Sequence, residues 1–290
     1  MIILLIGETG GGKTSLGVNF GIKAMDNGRE DIEIAKQRLC GYRGFSKVKM
    51  PKDHLVYSDI YFFGSEDSNN SRVVNFTTGY RFGLPNEDFE TDYFPYGSTL
   101  IFDEARKYWN ARKSMASYEN GGIHPKTLEA FELHRHNNLT IILITQLENH
   151  IDLNVRSLAH VVIEPYELIQ EKIGEKLKRI VTKWKCHKYR NVDDYVLSKK
   201  GDKSVIVEDI EYVFNGDIFD CYDSEFFMFQ FLHGLKKYSG IKMKPCSGTR
   251  DSVKKMYELF CDLRTNYKAK REKVKQDAIQ KSRGTTIEYL

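Results

Sequence analysis

The sequence predicts an α/β fold: a mostly parallel central sheet flanked by helices, antiparallel strands at one edge, and a helical C-terminal extension. Three observations carry this expectation. Apolar runs without alternation recur at residues 2–6, 98–102 and 139–145, as strands covered on both faces require. Helical spacings lie between them, Leu16 with Phe20 and then Leu128 with Phe131, each placing apolar side chains on one helix face. Past His160 the chain turns to shorter β-branched and aromatic segments separated by polar turns, the pattern of an antiparallel meander.

Taken in order, the first strand, Ile2-Ile3-Leu4-Leu5-Ile6, feeds a helix over about 13–27, which the polar Asn27-Gly28-Arg29 closes. Residues 54–60 read as a second strand, and residues 70–85, around Thr78-Gly79, as an inserted hairpin. The strand over 98–104 ends in two acids, Asp103 and Glu104. A helix over about 125–136 starts near Pro125, where a missing N–H costs nothing, and hands over to the strand at 139–146. The meander is assigned to 161–163, 179–184, 205–207 and 212–214. Phe226-Phe227-Met228-Phe229 reads as a buried helix, too short to cross a bilayer. A weak linker at 239–248 precedes a helix carrying Val253, Met256, Phe260 and Leu263. Its continuation at 268–283 is basic and is expected either to contact DNA phosphates or an acidic partner, or to stand as a solvated helix. The division expected is one domain over 1–232, then a linker and basic helical extension over 233–290.

Composition narrows the class. A chain of 290 residues with 41% hydrophobic and 29% charged residues buries a core without staples. Its net charge of +4 does not by itself call for nucleic acid. Five scattered cysteines show neither a disulfide framework nor zinc spacing, which points to reduced thiols and the cytosol. The opening apolar run lacks a basic flank, so no signal peptide is read, and no stretch is long enough to span a membrane. A soluble protein is expected.

The most specific signal is Gly7-Glu8-Thr9-Gly10-Gly11-Gly12-Lys13-Thr14, the complete G-x-x-x-x-G-K-[ST] pattern between a buried strand and a helix. Its glycines let successive backbone N–H groups face a phosphate chain at close range. Lys13 is expected on the β- and γ-phosphates and the Thr14 hydroxyl on Mg²⁺, with the helix N-terminus adding its positive end. Glu8 reads as a spacer. The sequence therefore predicts a P-loop NTPase that takes a nucleoside triphosphate, ATP or GTP, together with Mg²⁺.

Hydrolysis needs further groups. Asp103, at the tip of a buried strand, is the candidate to hold Mg²⁺, and Glu104 the candidate to polarise the attacking water. Gln146 ends the next apolar strand, where strand ends converge on one crevice, and its amide is expected to sense the γ-phosphate or orient water. Arg156 is the candidate arginine finger acting in trans. His134-Arg135-His136 is expected either to contact a neighbouring subunit or DNA, or to be a solvated helix end.

The order of P-loop, Leu100-Ile101-Phe102-Asp103-Glu104-Ala105, Leu133-His134-Arg135-His136, Ile142-Leu143-Ile144-Thr145-Gln146, Ile151-Asp152 and Val155-Arg156-Ser157-Leu158 resembles the zonula occludens toxin-like (Zot) family. These are assembly ATPases of filamentous phages within the FtsK/HerA-like P-loop group. Phe219-Asp220-Cys221-Tyr222-Asp223-Ser224 resembles the family's domain end, so the likeness spans about residues 1–224. The resemblance implies an ATP-driven role in extruding or packaging phage DNA, as a homo-oligomeric ring working with phage DNA and structural proteins. It implies a place in the host cytoplasm, at the inner face of the membrane through peripheral contact or docked on a capsid. Such proteins carry a membrane span after the ATPase domain and this sequence shows none, so packaging stands beside extrusion. The alternatives are a cytosolic P-loop ATPase acting in DNA replication and a non-hydrolysing, nucleotide-gated assembly adaptor.

Overall fold

The computed structural model describes residues 1–39, 55–63, 73–75, 97–113, 123, 125–136, 138–173, 178–223, and further on Cys261, Asp262, Thr265 and Ala269. Strand β1 (Ile2–Ile6) leads into helix α1 (Lys13–Leu39), and β2 (Val56–Ser58), β3 (Tyr61–Phe62), β4 (Val73–Asn75) and β5 (Thr99–Phe102) follow. Next come α2 (Pro125–Leu133), β6 (Thr140–Thr145), α3 (Leu153–Ser157), β7 (Val161–Ile173), β8 (Lys178–Tyr189), α4 (Val192–Lys199), β9 (Glu208–Val213) and β10 (Tyr222–Asp223).

Among the described residues, eight strands form one sheet in the order β4-β2-β5-β6-β1-β7-β8-β9. Every pairing from β4 to β7 is parallel, and β8 and β9 join antiparallel. The expected mostly parallel sheet with antiparallel edge strands is what forms. β1 explains the unbroken apolar runs. Its alternating side chains serve two cores, Ile3 and Leu5 with Leu16 and Val18 of α1 on one face, and Ile2, Leu4 and Ile6 with Phe131 of α2 and Val155 of α3 on the other. All five are buried, so neither side could be polar. α1 sits close: a Cβ on Gly17 would stand 2.6 Å from Ile144 Cδ1, so any larger side chain there would have to displace the Ile144 tip.

At the far edge, β8 and β9 carry cross-strand ion pairs Lys183–Glu211 (3.4 Å) and Lys188–Glu208 (3.2 Å), and Lys185 pairs with Glu167 of β7 at 2.7 Å. Exposed pairs add little stability each, but charge on an outer strand blocks further strand addition. Pro165 adjoins a register shift in β7, a place where a strand tolerates a residue without an N–H.

The structure corrects several expectations. Residues 73–75 form a strand parallel to β2, and the other arm of the expected hairpin lies outside the described residues. Val205-Ile206-Val207 is not a strand. The Asp202 side chain accepts the Ser204 N–H and closes a 3-10 turn over Lys203–Val205, a local bond that outcompetes β-propensity. α1 runs on to Leu39, past the expected end near 27, and α2 stops at Leu133 rather than 136. α4 was not anticipated. The small β3–β10 sheet was not anticipated either, although β10 falls in the segment that resembled a domain end. The 226–232 run, the linker, the expected helix after it and the basic stretch lie outside the described residues, apart from Cys261, Asp262 and Thr265 of that helix and Ala269 of its continuation, which are helical.

Candidate functional site

Parallel strands bring their C-terminal tips to one edge. The register aligns Ile6 with Thr145, Phe102 with Leu143 and Ser58 with Ile101, so Gly7, Gln146, Asp103 and Asp59 all leave the sheet there. The loop folds back on itself: Gly11 N–H donates to Glu8 O at 3.1 Å, and Leu16 N–H to Gly12 O at 2.9 Å. Gly12 has φ of 81°, and a Cβ there would stand 2.9 Å from Trp184 Nε1, so conformation and space both demand glycine. Glu8 and Thr9 are exposed, as are the Gly10 backbone and, in part, Gly11. The loop opens to solvent while its floor is closed by β7 and β8.

Lys13 is only 8% exposed, and its Nζ donates to Glu8 O at 2.7 Å, curling across the loop. Burial pulls its pKa down, and the carboxylates of Glu104 and Asp103 pull it back up. Both expected metal ligands meet: Thr14 Oγ1 donates to Asp103 at 3.3 Å from Oδ1 and 3.2 Å from Oδ2. A hydroxyl and a carboxylate are hard oxygen donors. Mg²⁺ uses a few such oxygens together with substrate phosphates, so the donor set fits that ion. Burial pushes the Asp103 carboxyl up to about 6, with Lys107 opposing and Glu104 adding to the rise.

Glu104 occupies the left-handed region, φ 50° and ψ 52°, a conformation that costs a non-glycine residue on the order of 1–3 kcal/mol and clusters at working sites. It is held by its N–H to Asp103 Oδ1 at 3.0 Å and by its carbonyl, which accepts Lys107 N–H at 2.9 Å. The turn aims the carboxylate at Gln146, whose Nε2 donates to Glu104 Oε1 at 3.3 Å, while Arg106 Nε stands 3.4 Å from Oε2. The structure thus gathers Lys13, Thr14, Asp103, Glu104 and Gln146 in one crevice.

Arg156 is not among them. It lies on α3, against the face of the sheet opposite α1, and its Nε is buried with no hydrogen-bond partner among the described residues. His134 is 2% exposed and its Nδ1–H donates to Phe131 O at 2.5 Å. Burial first, then nearby positive charge, holds its pKa near 4, so it is a neutral core group rather than a DNA contact. Arg135 and His136 are exposed, and Arg135 bonds His160 Nε2.

Two features escaped sequence reasoning. Asp59 is 2% exposed, accepts Asp103 N–H at 2.8 Å on Oδ1, and accepts Tyr108 O–H at 2.9 Å on Oδ2. Burial and the neighbouring Asp103 charge raise its pKa well above the usual carboxylate range. The signal available was an acid closing the apolar run 55–58. The other feature is a cavity of about 630 Å³ beside Gly7, Glu8 and Gln146, walled across from the loop by Tyr195 and Lys199 of α4 and by Glu164. Glu164 bonds both Lys199 and, at 3.0 Å, Tyr189 O–H.

A G-x-x-x-x-G-K-[ST] loop at the tip of a central parallel strand, with an intervening strand separating it from the acid-tipped one, defines a P-loop NTPase fold. The sequence profile of the zonular occludens toxin (Zot) family matches residues 1–225. The chain belongs to the Zot family. Among solved structures, the N-terminal domain of zonular occludens toxin from Neisseria meningitidis is similar at 19% identity and a TM-score of 0.40, covering 77% of this chain and 98% of that one. The genome packaging NTPase B204 from Sulfolobus turreted icosahedral virus 2, in complex with ATP-gammaS, shows 17% identity and a TM-score of 0.35 over 66% of this chain and 93% of that one. The KaiC-like protein PH0186 from Pyrococcus horikoshii OT3 shows 13% identity and a TM-score of 0.33 over 76% and 87%. No curated protein sequence matches.

Proposed function

We propose that this chain is an Mg²⁺-dependent ATPase of phage morphogenesis that couples hydrolysis to moving phage DNA, in packaging or extrusion. The observation that carries the reading is the single crevice in which Thr14 and Asp103 stand 3.2 Å apart and Glu104 and Gln146 3.3 Å apart, beside the Lys13 loop. Family membership supports the link to phage assembly.

The loop N–H groups and Lys13 would hold the phosphates, Lys13 leaving Glu8 O for a stronger, charge-assisted bond. Thr14 Oγ1 and an Asp103 carboxylate oxygen would hold Mg²⁺, which when bound neutralises charge developing on the β- and γ-oxygens. Glu104 would accept a proton from the attacking water at Oε1, and Gln146 would orient that water by its amide. Arg156 is assigned to a neighbouring copy's nucleotide in a homo-oligomeric ring. The division at residue 232 and a station in the host cytoplasm, against the membrane or on a capsid with phage structural proteins, belong to the same reading. No helix among the described residues is long and apolar enough to cross a membrane.

The test is DNA-stimulated ATP hydrolysis. Wild type should hydrolyse ATP, Lys13→Ala should lose both binding and turnover, and Glu104→Gln should bind without turning over. Hydrolysis equal in all three proteins ends the proposal.

A further inference from the structure

Asp59 belongs to neither sequence motif of the crevice, yet it is wired into it. It sits at the tip of β2, next to β5 in the sheet, and is 2% exposed. Carboxylates are seldom so buried unless paired. Here both oxygens are engaged, and their donors lie at the two ends of one short segment, the backbone of Asp103 at 2.8 Å and the phenol of Tyr108 at 2.9 Å. Between those ends lie the left-handed Glu104 and the 3-10 turn over Ala105–Lys107. Tyr108 is also fixed edge-on against Phe102 at 5.5 Å, so the far end of the clamp does not swing. Lys107 adds its positive charge toward Asp59, Asp103 and Glu104.

Resting on the reading of this crevice as a metal–nucleotide site, we infer that Asp59 is a positioning residue: one buried carboxylate that clamps residues 103–108 and thereby sets the Asp103 carboxylate against Thr14 and Glu104 against Gln146. A bond to the Asp103 N–H fixes that residue's Cα and so the origin of its carboxylate. The left-handed Glu104 turn is then held from both ends of its segment, at Asp103 and at Tyr108. A carboxylate serving only the core would stabilise the fold and leave metal handling untouched, and this difference can be measured.

The experiment uses the full chain and a fluorescent, non-hydrolysable ATP analogue, titrated with and without Mg²⁺. Asp59→Asn preserves shape and an acceptor for Asp103 N–H but turns an NH₂ toward Tyr108, where the carboxylate accepted the phenol O–H. The gain in analogue affinity produced by Mg²⁺ should fall about 10–100-fold, as for other outer partners of metal ligands, while Mg²⁺-free affinity stays at the wild-type value. In turnover with Mg²⁺, KM for ATP should rise in step with the lost Mg²⁺ gain, and kcat should fall as well, because the misplaced groups also serve the transition state. Tyr108→Phe, which removes only the far bond, should show the same pattern more weakly, and it decides the matter if Asp59→Asn does not fold. An unchanged Mg²⁺ gain in the folded variant, or equal losses with and without Mg²⁺, overturns the inference. If wild type binds the analogue but hydrolyses nothing, the ATPase reading fails while the Mg²⁺ gain still judges Asp59.

Discussion

The indole N–H of Trp184 donates to Ser15 Oγ at 3.2 Å, and Ser15 Oγ donates on to Gly12 O at 2.8 Å. A residue of β8 thus props the first turn of α1 and the last glycine of the loop, joining the antiparallel arm to the phosphate-binding end of the sheet. Trp184→Phe removes the indole donor and part of the buried ring, leaving the Ser15 hydroxyl its bond to Gly12 O. It should cost about 1–3 kcal/mol, lowering the midpoint of a thermal melt by roughly 2–4 °C per kcal/mol for a domain of this size.

Trp184 and Trp109 are the two tryptophans of the chain. In a Trp109→Phe background, ATP with Mg²⁺ should shift the Trp184 emission, because the loop it touches rearranges around phosphate. The added substitution Lys13→Ala should abolish the shift in a fluorescence titration.

Gly12→Ala should be more harmful than its size suggests. A left-handed backbone costs an L-residue about 1–2 kcal/mol, and the new Cβ would be driven to 2.9 Å from Trp184 Nε1. Nucleotide affinity, measured by calorimetry, should fall more than tenfold while circular dichroism stays that of a folded protein.

Glu104 and Gln146 should behave as one unit. Glu104→Gln removes the base and should lower kcat about 10²–10⁴-fold, and Gln146→Ala alone about 10–100-fold, the worth of a hydrogen bond to a charged group. Since the two side chains touch at 3.3 Å, the double variant should be little slower than Glu104→Gln. Fully multiplicative losses in the kinetic cycle would separate their roles.

Stability should weaken in mild acid through His134. Its pKa drops from 6.5 in the unfolded chain to about 4 in the fold, so the unfolded state takes up the proton first. The stabilisation is whole above pH 6.5 and is lost progressively toward pH 4. By pH 5 the share of this group amounts to about 1–2 kcal/mol, while Asp103, raised to about 6, pulls the other way. The measurement is therefore a comparison: between pH 7 and pH 5 the urea midpoint of wild type should fall relative to that of His134→Gln.

What could be read from the sequence was local. The run Ile2–Ile6, the glycine loop and the acids closing β5 announce themselves within a few residues, since continuous apolar character and phosphate-loop chemistry are contiguous patterns. Asp59 could not be recognised this way. Its role exists only because β2 pairs with β5 across some forty residues and carries it under Asp103. α4 was missed because Val192–Lys199 is eight residues long and is started by a side-chain bond from Asp194 N–H to Asn191 Oδ1 at 2.8 Å, not by a strong apolar period. The misread strand at 205–207 had the right residue types and the wrong cap.

The hollow beside Gly7 and Glu8 bears on how a small molecule would be made to discriminate. A compound that grips only the glycine loop meets a surface common to countless nucleotide-binding proteins. One that extends a cationic or hydrogen-bonding arm toward Glu164, or a ring against Tyr195, engages a wall that the glycine loop itself does not supply. Inhibitors grown in that direction would draw their selectivity from α4.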